Sequence, residues 1–170
     1  PGSDVALLNS IMHVIIEDGI FNDEYIKKQT LGFDDLRRHL KNYPPEIMEE
    51  QTGIDENLIR EVAHLYATTS KGIIFWGMGV SQHVHGTDNA RCLISLALMT
   101  GNVGRRGSGL HPLRGQNNVQ GASDAGLIPM MYPDYQLVEK DDKQNFFEKF
   151  WNTPLDNKKG LTVVEIMDAI

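Results

Sequence analysis

The sequence predicts an α/β chain, helix-rich and Rossmann-like, with helices layered on both faces of a sheet in a three-layer α/β/α arrangement. Three observations carry that expectation. Residues 72–77, GIIFWG, are a continuous apolar run bounded by glycines, the pattern of a strand buried on both faces in a parallel sheet. A glycine-containing loop, MGVSQHVHG, and a helical segment, TDNARCLISLALMTGN, follow it directly. An amphipathic segment, DENLIREVAHLYATT over 55–69, precedes it, so residues 55–101 read helix, strand, loop, helix, the order of a doubly wound domain.

The first segment, SDVALLNSIMHVIIEDG, reads as a helix that Ser3 or Asp4 can cap and Gly19 can stop. Val5, Leu8, Met12 and Ile15 form one apolar stripe, and Leu7, Ile11 and Val14 widen it. A face that broad predicts packing on more than one side. Shorter helices follow around NDEYIKKQT, FDDLRRHLKNY and PPEIMEEQTG, where Pro44 and Pro45 restart the chain. In the 55–69 helix, Leu58, Val62, Leu65 and Tyr66 share a face and predict its buried side. Residues 101–135 carry glycines and prolines at short intervals with little periodicity, and so long a loop is more often functional than idle. Helices resume at KQNFFEKFWN and TVVEIMDAI, joined by the polar turn PLDNKKG. A single strand makes no sheet, so the reading expects either further strands or partners in a longer polypeptide.

The length of 170 residues fits one domain with a real core. A net charge of −7 argues against general nucleic-acid or acidic-membrane binding. The single cysteine, Cys92, excludes an intrachain disulfide and any cysteine-built zinc site or cluster, and it suits a reducing, cytoplasmic setting. No stretch reaches the roughly 20 apolar residues of a membrane helix. The charge is uneven. From Lys71 to Gly121 five basic residues face one acid, Asp88, a balance of +4, so the remainder carries −11. An anion site set in an acidic body produces that asymmetry, and so does chance clustering on a solvated face.

Three stretches can carry chemistry. Gly2, Ser3 and Asp4 open the first helix, where free N–H groups and the helix dipole suit a phosphate or diphosphate and Asp4 can accept from a base or ribose. The plain alternative is a helix cap. Gly77, Met78, Gly79, Gln82 and His83 lie in the loop at the carboxyl end of the strand, where open α/β sheets bind ligands, although the complete dinucleotide fingerprint is missing. His83 and His85 without acids or cysteines nearby, Asp88 apart, suit ligand hydrogen bonding or packing better than a metal. Cys92 reads as a small buried thiol. The third stretch is HPLRGQNNVQGASD over 111–124. Arg114 stands at its front, and four of the next six residues are amides: Gln116, Asn117, Asn118 and Gln120. A guanidinium fork matches a carboxylate or phosphate, and amides suit a heterocycle with mixed edges such as a pterin or guanine. A polar surface loop with Asn turns remains open on composition alone.

The wording of these stretches resolves that ambiguity. HPLRGQNNVQGASDAG, preceded by LMTGNVGRRGSG and GMGVSQHVHGTDNA, closely resembles the catalytic α subunits of molybdenum- or tungsten-dependent formate dehydrogenases, within the dimethyl sulfoxide reductase family of molybdopterin oxidoreductases. The resemblance runs from PGSD through about Tyr135 and less distinctively to the end.

It implies part of the molybdopterin oxidoreductase fold, a metal held by two molybdopterin guanine dinucleotides, and formate as substrate. By position, Arg114 matches the arginine that orients the formate carboxylate, and Gly115 and Gln116 fall beside the pterin. Gly77, Met78, Gly79, Gln82 and His83 match a cofactor-contacting loop. Gly2, Ser3 and Asp4 match a turn that meets a guanine dinucleotide. The resemblance further implies electron-transfer subunits, and a 4Fe-4S cluster and metal-ligating cysteine or selenocysteine upstream of the matched region. A last cofactor-binding domain lies downstream, so residues 1–170 read as one α/β domain portion, inactive alone, of a longer enzyme that transfers two electrons from formate to the metal. The alternatives are a sibling such as a nitrate reductase, a non-catalytic nucleotide- or anion-binding domain, and an assembly module.

Overall fold

A computed structural model describes residues 2–170 and divides the chain into two compact units, one reaching Leu113 and the other spanning Arg114–Ile170. Each unit has its own apolar cluster, the larger built from residues 11–99 and the smaller from Tyr132, Val138 and Phe147.

In the larger unit the first helix is the hub. Helix α1, Asp4–Glu17, packs against α3 (Phe33–Leu40), α4 (Pro45–Thr52), α5 (Glu56–Thr68) and α7 (Gly86–Met99), while α2 (Asp23–Gln29) packs on α7. Ile11, Met12, Val14 and Ile15 are buried, as expected of a helix apolar on most of its circumference. Gly19 follows α1 in the left-handed region, at φ 66°, where a glycine bears no Cβ penalty. The Asn22 side chain caps α2, and Asp55 caps α5 by accepting from the Asn57 and Leu58 amides. Pro45 opens α4, where its missing N–H costs nothing.

Helix α5 departs from the expected face. Ile59 and Ala63 are its buried residues and Tyr66 is half-buried, whereas Leu58, Val62 and Leu65 are exposed. Two faces of this helix carry apolar residues, and Ile59 and Ala63 join the α1 cluster with Tyr66 and Ala67 partly buried against it. Helical periodicity cannot tell which of two apolar faces meets the core.

Strand β1, Ile73–Trp76, pairs in parallel with β2, Gly109–Pro112, with Ile73 opposite Gly109 and Trp76 opposite Pro112. The short helix α6, Met78–Ser81, and α7 form the crossover that a parallel pair requires. β2 falls inside the long loop, where GLHP offers a glycine, a histidine and a proline in place of an apolar run. The expectation of burial on both faces of β1 is overturned. Ile74 and Trp76 are half-buried and Ile74 joins the α1 cluster, but Ile73 and Phe75 are 44% and 60% exposed. Side chains alternate across a strand, so helices cover one face and the other is open among the described residues. The helix-rich α/β class itself stands, with small sheets among many helices.

The start of β1 is fixed by a buried amide. Asn102, 1% exposed, accepts from the Gly72 backbone at 3.1 Å and from Arg105 at 2.9 Å, and donates to Thr100 Oγ1 at 3.0 Å. A Cβ at Gly72 would run into Asn102 and Tyr66, so the glycine is required by close approach.

The smaller unit contains α8 (Val119–Asp124), β3 (Met131–Tyr132), a 3-10 turn at Pro133–Tyr135, β4 (Gln136–Leu137), α9 (Asp141–Trp151) and α10 (Val163–Asp168). β3 and β4 are antiparallel. Tyr132 packs on Phe147 with ring centroids 4.8 Å apart, and Phe147 packs on Trp151 at 4.8 Å. Thr162 and Glu165 form a reciprocal capping box at the start of α10.

Candidate functional site

The expected site residues of the larger unit fall into two groups. Gly2 and Ser3 stand at the start of α1, where Ser3 makes no side-chain cap and Gly2 has a left-handed φ of 83°. Asp4 is the first helical residue, and its charge complements the helix dipole. An open cavity of about 770 Å³ lies here, with Gly2, Ser3, Asn9, His85, Arg91 and Cys92 among its lining residues. Its size is that of a small-molecule site. Asp4 does not line it, and neither do Gly77, Met78, Gly79, Gln82 or His83. His85, weighed with His83 as a ligand hydrogen-bonding residue, is the N-cap of α7. Arg91, in the second turn of that helix, was not selected as a site residue, and the isolated arginine in TDNARC was the available signal.

The second group forms the turn after β1. Gly77 precedes α6, Met78 and Gly79 are exposed within it, and Gln82 follows it, exposed. His83 Nε2 lies 2.6 Å from the Gly79 carbonyl oxygen and thus braces its own loop. Two residues that the sequence did not single out hold this loop in place. Asn89, 2% exposed, donates from Nδ2 to the Val80 carbonyl at 2.8 Å and so ties the loop to α7. Gly86 is buried, and a Cβ there would collide with the Ser81 carbonyl. Neither leaves a sequence signal, because a buried Asn in a helix reads like an exposed one.

In the smaller unit Arg114, Gly115, Gln116, Asn117 and Asn118 are all exposed. Arg114 Nη2 donates to Gln120 Oε1 at 3.1 Å, and Gln120 Nε2 donates to Asp124 Oδ1 at 3.1 Å and to the Tyr135 hydroxyl at 3.0 Å. Among the described residues no carboxylate forms an ion pair with Arg114. Asn118 occupies the N-cap position of α8 without a side-chain cap bond, in the left-handed region at φ 53°, a conformation asparagine tolerates better than most residues. A Cβ at Gly121 would press into the Asn118 side chain, so the Gly121 position is set by this turn.

The donor set fits a phosphate-bearing heterocyclic cofactor. The 14-residue helices α1 and α7 both start without a side-chain cap, which leaves backbone N–H groups for phosphate or ring oxygens. Gly77 and Gly79 leave open space where a Cβ would stand, so a ligand can approach their backbone closely. The fit does not extend to a metal ion. Among the described residues no three of His, Cys, Asp and Glu come together to hold one. Cys92 Sγ donates to Asn9 Oδ1 at 3.5 Å, and burial, then the charge of Asp88, push its thiol up to about 11, which keeps it protonated at neutral pH.

Among the described residues no helix is long and apolar enough to cross a membrane. The chain is 44% identical over 168 residues to the F420-dependent formate dehydrogenase subunit alpha of Methanocaldococcus jannaschii, a match covering 99% of this chain and 25% of that one. It is 43% identical over 150 residues to formate dehydrogenase H of Escherichia coli, covering 88% of this chain and 21% of that one. The chain thus spans about a quarter of the length of these curated relatives. Among solved structures it resembles acetylene hydratase from Pelobacter acetylenicus, with a TM-score of 0.60 and 26% identity over 62% of this chain and 15% of that one. The family model described as molybdopterin oxidoreductase matches residues 1–165, and a match over nearly the whole length makes this chain a member of the molybdopterin oxidoreductase family.

Proposed function

We propose that this chain is part of a formate dehydrogenase that oxidises formate to carbon dioxide at a bis(molybdopterin guanine dinucleotide) centre. The centre carries molybdenum or tungsten, and electrons leave through a 4Fe-4S cluster to electron-transfer subunits in the cytoplasm. The observation that carries the reading is Arg114, an exposed guanidinium held by a neutral amide and, among the described residues, not paired with an acid. The formate dehydrogenases among its relatives support the same substrate.

Formate yields carbon dioxide, one proton and two electrons when its C–H bond breaks. The cofactor, when bound, supplies the two-electron acceptor. Arg114 offers two parallel N–H groups to the two carboxylate oxygens, which fixes the direction of the C–H bond and offsets the negative charge. Gly115 and Gln116 present a close backbone and a two-way amide to the pterin edge. Gly77, Met78, Gly79, Gln82 and His83 form a cofactor-contacting loop, braced from behind by Asn89. Gly2 and Ser3 offer the start of α1 to a diphosphate, and Asp4 accepts from the guanine.

Arg114→Lys in the full-length holoenzyme tests the reading. Lysine keeps the charge and loses the fork, so kcat/KM for formate-dependent dye reduction is expected to fall on the order of 100-fold. Wild-type kinetics with normal metal loading would defeat the assignment. A sibling enzyme acting on another small oxyanion such as nitrate is the second reading, since the same charge suits it. Nitrate-dependent oxidation of a reduced dye without any formate activity would favour it.

A further inference from the structure

The amide at position 120 is held from both ends. Arg114 only donates hydrogen bonds and Asp124 only accepts them, so the amide between them has one workable orientation. Its oxygen faces Arg114 at 3.1 Å and its nitrogen faces Asp124 at 3.1 Å. A flipped amide would set N–H groups against the guanidinium and an oxygen against the carboxylate. Gln120 and Asp124 stand four residues apart on α8, one above the other on the same face. The Tyr135 hydroxyl accepts a second bond from the Gln120 nitrogen at 3.0 Å, so both of its N–H groups have partners.

The link is also neutral. A carboxylate in direct contact would neutralise the guanidinium and compete with any anion for its donors. The Gln120 carbonyl takes up one of five N–H donors and, among the described residues, leaves the guanidinium without a carboxylate in direct contact. Asp124 acts through the amide and makes no ion pair with Arg114 among the described residues.

We infer that Gln120, oriented by Asp124 and Tyr135, is the positioning residue that aims the Arg114 guanidinium and keeps its charge available to a small carboxylate. The inference rests on the reading of Arg114 as the formate clamp.

Three variants of the full-length holoenzyme separate the two: Arg114→Lys, Gln120→Glu and Gln120→Met, compared by kcat and KM for formate-dependent dye reduction, metal content and melting temperature. Gln120→Glu is isosteric and brings a carboxylate against Arg114. It is expected to raise the formate KM on the order of 10- to 100-fold at neutral pH, with recovery as the pH falls and the new carboxyl takes a proton. Gln120→Met keeps the length and loses both bonds, and is expected to lower kcat on the order of 10-fold with KM less affected. Metal content and melting should match the wild type. If Arg114→Lys collapses while both Gln120 variants keep wild-type kcat and KM, the positioning role is wrong and the clamp stands. Equal losses in both Gln120 variants, with reduced metal content or melting and no recovery in acid, would assign Gln120 to folding and overturn the inference. Wild-type kinetics for Arg114→Lys would remove the clamp and this role with it.

Discussion

Amides in the unit ending at Leu113 and amides in Arg114–Ile170 do different work. Asn89 and Asn102 are buried, and each ties one backbone segment to another: Asn89 holds the turn after β1, and Asn102 holds the start of that strand. Gln116, Asn117 and Asn118 are exposed, and Gln120 bonds only to other exposed side chains. A buried amide must satisfy its groups inside the fold, so its position is dictated by the backbone. An exposed amide has water as an alternative partner, so folding does not require it there and a ligand can claim it. The contrast separates the amides that build this chain from those left available to a ligand.

The largest expected effect lies in the hub of the first unit. Ile15 is fully buried between the helices that surround α1. Ile15→Ala removes that packing and leaves a void, and should cost about 2–5 kcal/mol in urea denaturation followed by far-UV circular dichroism. A loss below about 1 kcal/mol would show that α1 is not the centre of this unit.

The amides themselves come next, compared in one experiment. Asn102→Ala strands the buried Gly72 N–H and removes a bond to Thr100, at an expected cost of about 1–3 kcal/mol. Asn117→Ala, on the exposed loop, should stay within about 0.5 kcal/mol. Similar costs for the two substitutions would erase the distinction between amides that build the fold and amides left available to a ligand.

How far the sequence reveals this arrangement depends on the kind of signal. Helix α1 was readable because its apolar residues recur around most of its circumference, and the helix ends at α4 and α5 because Pro45 and Asp55 have local chemistry. The partner strand β2 was hidden because Gly109 and Pro112 mark turns in any local reading, and pairing with β1 is a long-range event. The covered face of α5 was misassigned because Leu58, Val62 and Leu65 repeat as regularly as the buried Ile59 and Ala63. Arg114 and its amides stood out by composition, but the bonds joining Gln120 to Tyr135 cross a turn that no periodicity specifies. Asn89 and Gly86 left no trace, since their roles depend on the backbone that packs against them.

The smallest effect concerns the acids that brace the hub from outside. Arg60 on α5 bonds to Glu17 at 2.9 Å and also to Glu46 on α4. A hydrogen bond from its own backbone amide, and then the Arg60 guanidinium, hold the Glu46 carboxyl below its usual 4.5. A carboxyl with a depressed folded value stabilises the fold fully above its ordinary pKa. That stabilisation is lost as pH falls through the depressed one. Glu46 is about half exposed, so solvent screening keeps its share below about 1 kcal/mol, and Glu17 remains to hold Arg60 when Glu46 is removed. Glu46→Gln should therefore cost a few tenths of a kcal/mol at pH 7, by the rough scale of exposed ion pairs. The gap to the wild type should close as the pH drops below 4.5. A gap that widens in acid would mean that Glu46 is held in its neutral form, opposite to the sign its neighbours impose.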